Sequence, residues 1–159
     1  MATLARPVRI DRASSEDLDD AMKVMKAAFG QTYGEAWTRS QCAGILPMAG
    51  VSLYLARDAN SDDPIGFSLA RNVADESELL LIAVSPARHR EGIGLRLLDH
   101  FMQQAQASGV KRMHLEVRDG NPAIAMYKRA GFTQVGRRRN YYHAADGQRF
   151  DALTFALQV

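Results

Sequence analysis

Two glycines, Gly92 and Gly94, stand between an apolar run, Leu79-Leu80-Leu81-Ile82-Ala83-Val84, and a stretch whose apolar residues Ile93, Leu97, Leu98, Phe101, Met102 and Ala105 recur at helical spacing. This order delivers a buried strand into a glycine turn at a helix start. Backbone N–H groups there lack intrahelical partners and the macrodipole is positive, so main chain alone can bind an anion such as a diphosphate. A Walker loop does not fit, because Leu95 and Arg96 follow Gly94 where lysine and a hydroxyl should stand. A dinucleotide fingerprint does not fit either, since Leu97 fills the place of its third glycine. A plain tight turn is the alternative. Further on, Glu116 is a lone carboxylate within the apolar run Met113 to Val117. Partial burial would lift its pKa toward the range of a proton acceptor, or it is merely paired with Arg118 or Arg112.

The elements that must position these residues are readable in coarse form. Val8 to Asp11 alternates as a short strand, and Ser14 with Asp17 forms a capping box for a helix carrying Leu18, Met22, Met25 and Phe29. Thr38 with Gln41 makes a second box before a short helix to about Leu46. Val51 to Arg57 and Ile65 to Val73 read as antiparallel strands joined by the polar turn from Asp58 to Pro64. Glu78 to Val84 continues the meander but turns wholly apolar, as expected of a central strand covered by helices on both faces. A helix then runs to Ser108-Gly109, and Met113 to Val117 returns as a parallel strand. Asn121-Pro122 opens a helix with Pro at its first position, and Ala130-Gly131 ends it. Phe132 to Tyr142 and Phe150 to Gln158 form a terminal hairpin.

With 159 residues the chain fits one domain, 1–159. Its 20 Lys plus Arg balance 18 Asp plus Glu to a net +2, too near neutrality to imply general attraction to nucleic acid or membrane. Arg137-Arg138-Arg139 is the one tight basic run, read as solvated or partner-facing. The single Cys42 allows no intrachain disulfide, and no Cys/His set has metal-ligand spacing. His100, His114 and His143 are given no chemistry. Met1 to Ile10 lacks the apolar core of a signal peptide and no run reaches a membrane span, so a cytoplasmic location is expected.

His89-Arg90-Glu91-Gly92-Ile93-Gly94 resembles motif A of the GNAT acetyltransferases, in which Arg or Gln, two residues, Gly, one residue and Gly or Ala bind the pyrophosphate of acetyl-CoA through backbone amides. His89 replaces the usual Arg or Gln, a departure that should weaken the framing hydrogen bonds without abolishing the site. The resemblance runs from Arg12 to Leu157. Leu115-Glu116-Val117-Arg118, then Asn121, Ala123, Ala125, Tyr127 and Gly131-Phe132, then Arg138-Arg139-Asn140-Tyr141-Tyr142 and Asp146-Gly147, are similar to the bacterial RimI group of ribosomal-protein alanine N-acetyltransferases. The fold it implies is an α/β GNAT fold, a mixed central sheet flanked by helices and splayed between its central parallel strands.

The resemblance also implies an acetyl-CoA-dependent N-acetyltransferase and assigns roles. Backbone of Ile82, Ala83 and Val84 would meet the pantetheine arm and the oxyanion, where preorganised N–H donors contribute a few kcal/mol. Arg90, Glu91, Gly92, Ile93 and Gly94, framed by His89, would hold the pyrophosphate. Glu116 would be the general base, with Glu78 acting through water as the fallback. Tyr127 would contact the cofactor sulfur as general acid; its alternative is a core aromatic against Phe132. A thiol at about 8.5 and a phenol at about 10 make that donation feasible. Asn121 would orient the pantetheine arm or simply cap a helix. Tyr141 and Tyr142 would line a peptide entrance or pair as hairpin aromatics, and Trp37 with Phe29 would form groove wall or core.

The implied acceptor is the N-terminal amine of a protein, with a ribosomal protein as the analogy. An α-amine near 7.7 to 8.0 costs about 3.4 kcal/mol less to deprotonate than a lysine near 10.4, which suits a single modest base. Arg137 to Arg139 would meet acidic parts of that partner or the adenosine 3'-phosphate. The alternatives are a polyamine or aminoglycoside acetyltransferase, which calls for a strongly acidic groove where Tyr33 to Trp37 offers only Glu35, and a non-catalytic acyl-CoA-binding module. Gln31 to Trp37 is longer than the compact Phe-Pro-Trp-Ser segment of the RimI group, which bears on acceptor identity. A monomer or homodimer is consistent with the sequence.

Overall fold

The computed structural model describes residues 6–159. The part of the Met1 to Ile10 reading that concerns residues 1–5 lies outside the described residues. Strand β1 (Val8–Ala13) enters the first capping box, where Ser14 N–H donates to Asp17 Oδ2 at 2.9 Å and Ser14 Oγ accepts from Glu16 N–H at 3.4 Å. The box caps one 3₁₀ turn, Ser15–Asp17, that runs directly into helix α1 (Leu18–Phe29). The second box is complete at α2 (Arg39–Ile45): Thr38 N–H donates to Gln41 Oε1 at 2.7 Å and Gln41 N–H to Thr38 Oγ1 at 3.1 Å. Each such cap is worth about 1 kcal/mol.

Strands β2 (Val51–Asp58), β3 (Pro64–Val73) and β4 (Glu76–Val84) continue as an antiparallel meander. Helix α3 (Ile93–Ala107) crosses to β5 (Arg112–Arg118), which lies parallel to β4. Helix α4 (Ile124–Arg129) leads to the hairpin of β6 (Thr133–His143) and β7 (Arg149–Gln158). The seven strands form one sheet in the order β1-β2-β3-β4-β5-β7-β6, with β4 at its centre.

Pro122 does not begin a helix. Asn121 Oδ1 accepts from Ala123 N–H at 2.9 Å, and the Asn121 carbonyl accepts from Ile124 N–H at 3.1 Å. A local Asx-type turn therefore takes Asn121 to Ala123, and the α-helix starts beyond it.

Helices cover the two sheet faces separately. Leu18, Ala21, Val24 and Met25 of α1, with Cys42 of α2, pack on Leu53, Leu55, Phe67 and Leu69. On the other face Leu98, Phe101 and Ala105 of α3, with Tyr127 of α4, pack on Met113, Leu115, Val117 and Phe155. Each fully buried side chain of this kind contributes about 1.5–3 kcal/mol.

The centre of the sheet is deliberately incomplete. Parallel pairing runs from Glu76↔Arg112 only to Leu79↔Leu115, after which β4 stays with β3 and β5 stays with β7 as far as Arg118↔Ala152. At the same point the register against β3 slips, Leu69 facing Leu81 and Ala70 facing Leu79, so that Leu80 is a bulge. The bulge inverts the facing of the strand. Leu79 belongs to the α3 face, whereas Leu81 and Ala83 belong to the α1 face. It also accounts for a departure from the expected fully buried strand: Leu80, Ile82 and Val84 are only half-buried, beside the gap.

Candidate active site

Past Val84 the chain makes a 3₁₀ turn, Pro86–Arg88, and then the glycine turn. Arg90 and Gly92 both adopt left-handed backbone, φ +68° and +75°. Left-handed residues in a turn are how backbone amides come to form an anion-binding concavity. The first helical hydrogen bond of α3 is Arg96 N–H to the Gly92 carbonyl, and among the described residues the N–H groups of Arg90, Glu91, Gly92, Ile93 and Gly94 donate to nothing. A Cβ added to Gly92 would meet no atom within 4 Å, so side chains leave the turn open. Free amides, positive φ and a fifteen-residue helix behind them fit a pyrophosphate.

Side chains brace this turn from behind. Arg88, 6% exposed, bonds Asp58 Oδ2 at 2.9 Å and Glu91 Oε2 at 2.7 Å, and its hydrogen bond holds the Glu91 carboxyl below the usual range. His89 turns back toward the strand, its Nε2 lying 3.1 Å from the Val84 carbonyl oxygen. The imidazole thus frames the turn by closing it onto the end of β4. On the other flank a Cβ at Gly94 would lie 3.6 Å from Met126 Sδ, so α4 packs directly against the start of α3.

The gap between β4 and β5 holds a cavity of about 100 Å³. Its lining includes Leu79, Leu115, Val117 and Tyr127 from the α3 face, and Phe29, Glu35, Trp37, Glu78 and Glu116 from the other. Ile82 lines it too, whereas Ala83 and Val84 continue the unpaired edge toward the glycine turn. The cavity therefore passes through the sheet.

Glu116 reaches it from β5, with its Oε2 buried and without a hydrogen-bond partner. Burial pushes its carboxyl above the ordinary value, and Glu78 adds to this, while Arg138, Thr154 and His114 oppose it. Its ion-pair partner is neither Arg118 nor Arg112. Arg138 Nε lies 2.7 Å from Glu116 Oε1, because β6 and β7 bring Arg138 and Thr154 over the same face. Arg112 instead meets Glu76 at 3.1 Å and Arg118 meets Glu35 at 3.2 Å.

Tyr127 is 4% exposed, stacks edge-on to Phe132 with centroids 6.2 Å apart, and lines the cavity as well. The core-aromatic reading against Phe132 is realised, and the same ring also borders the cavity. Burial drives its phenol far above the ordinary tyrosine value, and no hydrogen bond engages its hydroxyl among the described residues. Tyr141 and Tyr142 likewise pair edge-on, centroids 5.0 Å apart, and both line the cavity. Consecutive strand residues normally face opposite ways. Here β6 pairs Arg138 with Ala152 and Tyr142 with Phe150, two residues more than β7 between those points, and Asn140 at φ +54° bonds Asp151 through its N–H at 2.9 Å.

Asn121 caps its own turn and also donates from Nδ2 to Glu35 Oε2 at 2.9 Å. Glu35 was legible only as a loop carboxylate. The structure makes it the hub of one cavity wall: it bonds Arg118 and Asn121, and Arg118 lies 3.5 Å from the Tyr33 ring centroid. Gly34, at φ +72°, passes so close to the hairpin that a Cβ would fall 2.0 Å from the His143 carbonyl oxygen. The long segment between α1 and α2 is thereby docked on β6–β7.

The basic run is largely spoken for. Arg137 bridges Asp119 at 2.8 Å and Asp151 at 2.7 Å, and Arg138 sits on Glu116, so neither is a free partner-facing charge. Among the described residues no group of three or more His, Cys, Asp or Glu could hold a metal, and no helix is long and apolar enough to cross a membrane.

Residues 18–132 match the acetyltransferase (GNAT) family. The ribosomal protein bS18-alanine N-acetyltransferase of Escherichia coli strain K12 is 43% identical over 94 residues, which cover 58% of this chain and 63% of that relative, under two thirds of its length. An enzyme of the same name from Haemophilus ducreyi is 38% identical over 138 residues, covering 81% of this chain and 95% of that one. The crystal structure of the ribosomal-protein-S18-alanine N-acetyltransferase from Escherichia coli superposes with a TM-score of 0.85 at 30% identity, over 96% of this chain and 94% of that chain.

Proposed function

The chain belongs to the GNAT acetyltransferase family, and from that premise we propose that it transfers the acetyl group of acetyl-CoA to the N-terminal α-amine of a protein. The acceptor class is a ribosomal protein, as in the names of the bS18-alanine relatives. One observation carries the reading: a carboxylate and a phenol approach a single cavity from opposite faces of a split sheet, beside a turn of unpartnered amides.

When bound, acetyl-CoA supplies the acyl group as an activated thioester. The N–H groups from Arg90 to Gly94 hold its pyrophosphate, with His89 closing the turn. The unpaired edge at Ile82, Ala83 and Val84 offers main-chain groups to the arm that follows, and Asn121 orients it. Glu116 accepts a proton from the acceptor ammonium, and its raised pKa brings it nearer to the α-amine it serves. Tyr127 keeps its proton under burial, so its O–H acts chiefly as a hydrogen-bond donor to the departing sulfur, a stricter role than free proton donation. Trp37, Tyr141 and Tyr142 wall the acceptor entrance.

The charge inventory favours a peptide over a polyamine. Three carboxylates line the cavity, but Arg118 neutralises Glu35 and Arg138 neutralises Glu116, leaving Glu78 as the one without an ion pair among the described residues. A polycation would need more than one. Thiol release measured with short peptides of free or blocked N-terminus, spermidine and an aminoglycoside tests this. Turnover confined to free peptide ends is expected, and preference for spermidine over every peptide would overturn the acceptor class.

A further inference from the structure

Glu116 Oε1 has two partners, Thr154 Oγ1 at 3.4 Å and Arg138 Nε at 2.7 Å, while Oε2 has none. The two ends of the ion pair live in different surroundings. The Glu116 side chain is 14% exposed and that of Arg138 is 63% exposed. Arg138 stands at the start of the second register slip of β6, its guanidinium 5.7 Å from the Tyr141 ring centroid. It thus reaches the carboxylate from solvent, past the aromatic that lines the entrance. A nitrogen cation against that oxygen stands where an acceptor ammonium has to come for its proton to be taken. An ion pair with one partner mostly in water opens readily, whereas a buried carboxylate stripped of any cation is strongly disfavoured.

We infer that Arg138 is a positioning residue that substitutes for the acceptor ammonium: it covers Glu116 before the acceptor arrives and swings into solvent as the amine takes its place. The exchange is cation for cation, so the cavity never holds a bare carboxylate. No bond is made or broken in it. The inference rests on the reading of Glu116 as base. The other groups facing that carboxylate are Glu78 on β4, His114 on β5, Thr154 on β7 and Tyr142 on β6, and none is a permanent cation that could replace Arg138.

Carboxyl-carbon NMR titration of Glu116, together with the pH dependence of kcat/KM for a free-ended peptide, tests the exchange in wild type, Arg138→Gln and Arg138→Lys. In Arg138→Gln the Glu116 titration and the acid limb should both move up by about one pH unit, and Lys should restore them. At a pH above the Glu116 titration measured in each variant and below the peptide α-amine near 7.7 to 8.0, the peptide KM of Arg138→Gln should fall severalfold because the internal competitor is gone. A static ion pair would move both titrations as well but would leave the peptide KM at that pH unchanged. Unmoved titrations, or an unchanged KM at that pH, would overturn the inference. Glu116→Gln separates the premise: full turnover in that variant removes the base reading, whereas lost turnover beside an Arg138→Gln profile identical to wild type removes the role of Arg138 alone.

Discussion

The turn from Val84 to Gly94 and the wall built from Glu35, Glu116 and the tyrosines sit at opposite ends of one gap and are made of different material. The turn works through main chain, with side chains such as Arg88 holding it from outside. The wall works through side chains whose charges are paired across distant segments, Glu35 with Arg118 and Glu116 with Arg138. A site made of backbone depends on conformation and tolerates changes of identity. A site made of buried charge depends on identity and tolerates little.

The contrast is sharpest for chemistry. Glu116→Gln should lower kcat by about 10²–10⁴-fold and Tyr127→Phe by about 10²–10³-fold, while calorimetry finds acetyl-CoA binding unchanged; weakened cofactor binding in either would merge the two regions. Next comes Glu35→Ala, which leaves Arg118 buried without its carboxylate and should cost about 3–5 kcal/mol in urea unfolding. Smaller effects are expected at the turn. Gly92→Ala introduces a side chain at φ +75° with open space around it, so only backbone strain of about 1–2 kcal/mol weakens acetyl-CoA, and the acceptor KM stays put. His89→Ala, which removes framing but no amide, should change acetyl-CoA affinity by less than about 1.5 kcal/mol.

The mildest test uses pH. Because the folded state raises the Glu116 carboxyl, it binds a proton more tightly than the unfolded chain does. Wild type therefore loses stability as pH rises from about 4.3 through the folded value. Glu116→Gln escapes that loss, and thermal melts from pH 4 to 8 should show the variant gaining on wild type as pH rises.

The sequence carried the turn better than the wall for a physical reason. Glycine spacing, an apolar run and helical periodicity are local signals, and they placed Gly92, Gly94 and the central strand correctly. Both capping boxes were legible on the same ground. The bulge at Leu80 was not, because it exists only as a mismatch with β3. The partner of Glu116 was hidden in the same way: Arg138 reaches it through pairings of β5 with β7 and of β7 with β6. At Pro122 a local rule failed, since the Asn121 side chain captures the Ala123 amide and delays the helix. The hub at Glu35 depends on a loop docking onto a hairpin more than a hundred residues later, and only Gly34 hinted at the close approach.

The gap opened where β4 and β5 part company has walls from both faces of the sheet. Under the proposed reaction, donor and acceptor would have a doorway each and would meet in the thickness of the sheet, so neither would have to wait for the other to vacate a shared corridor. The spent carrier would leave by its own side while the modified chain end backs out through the other.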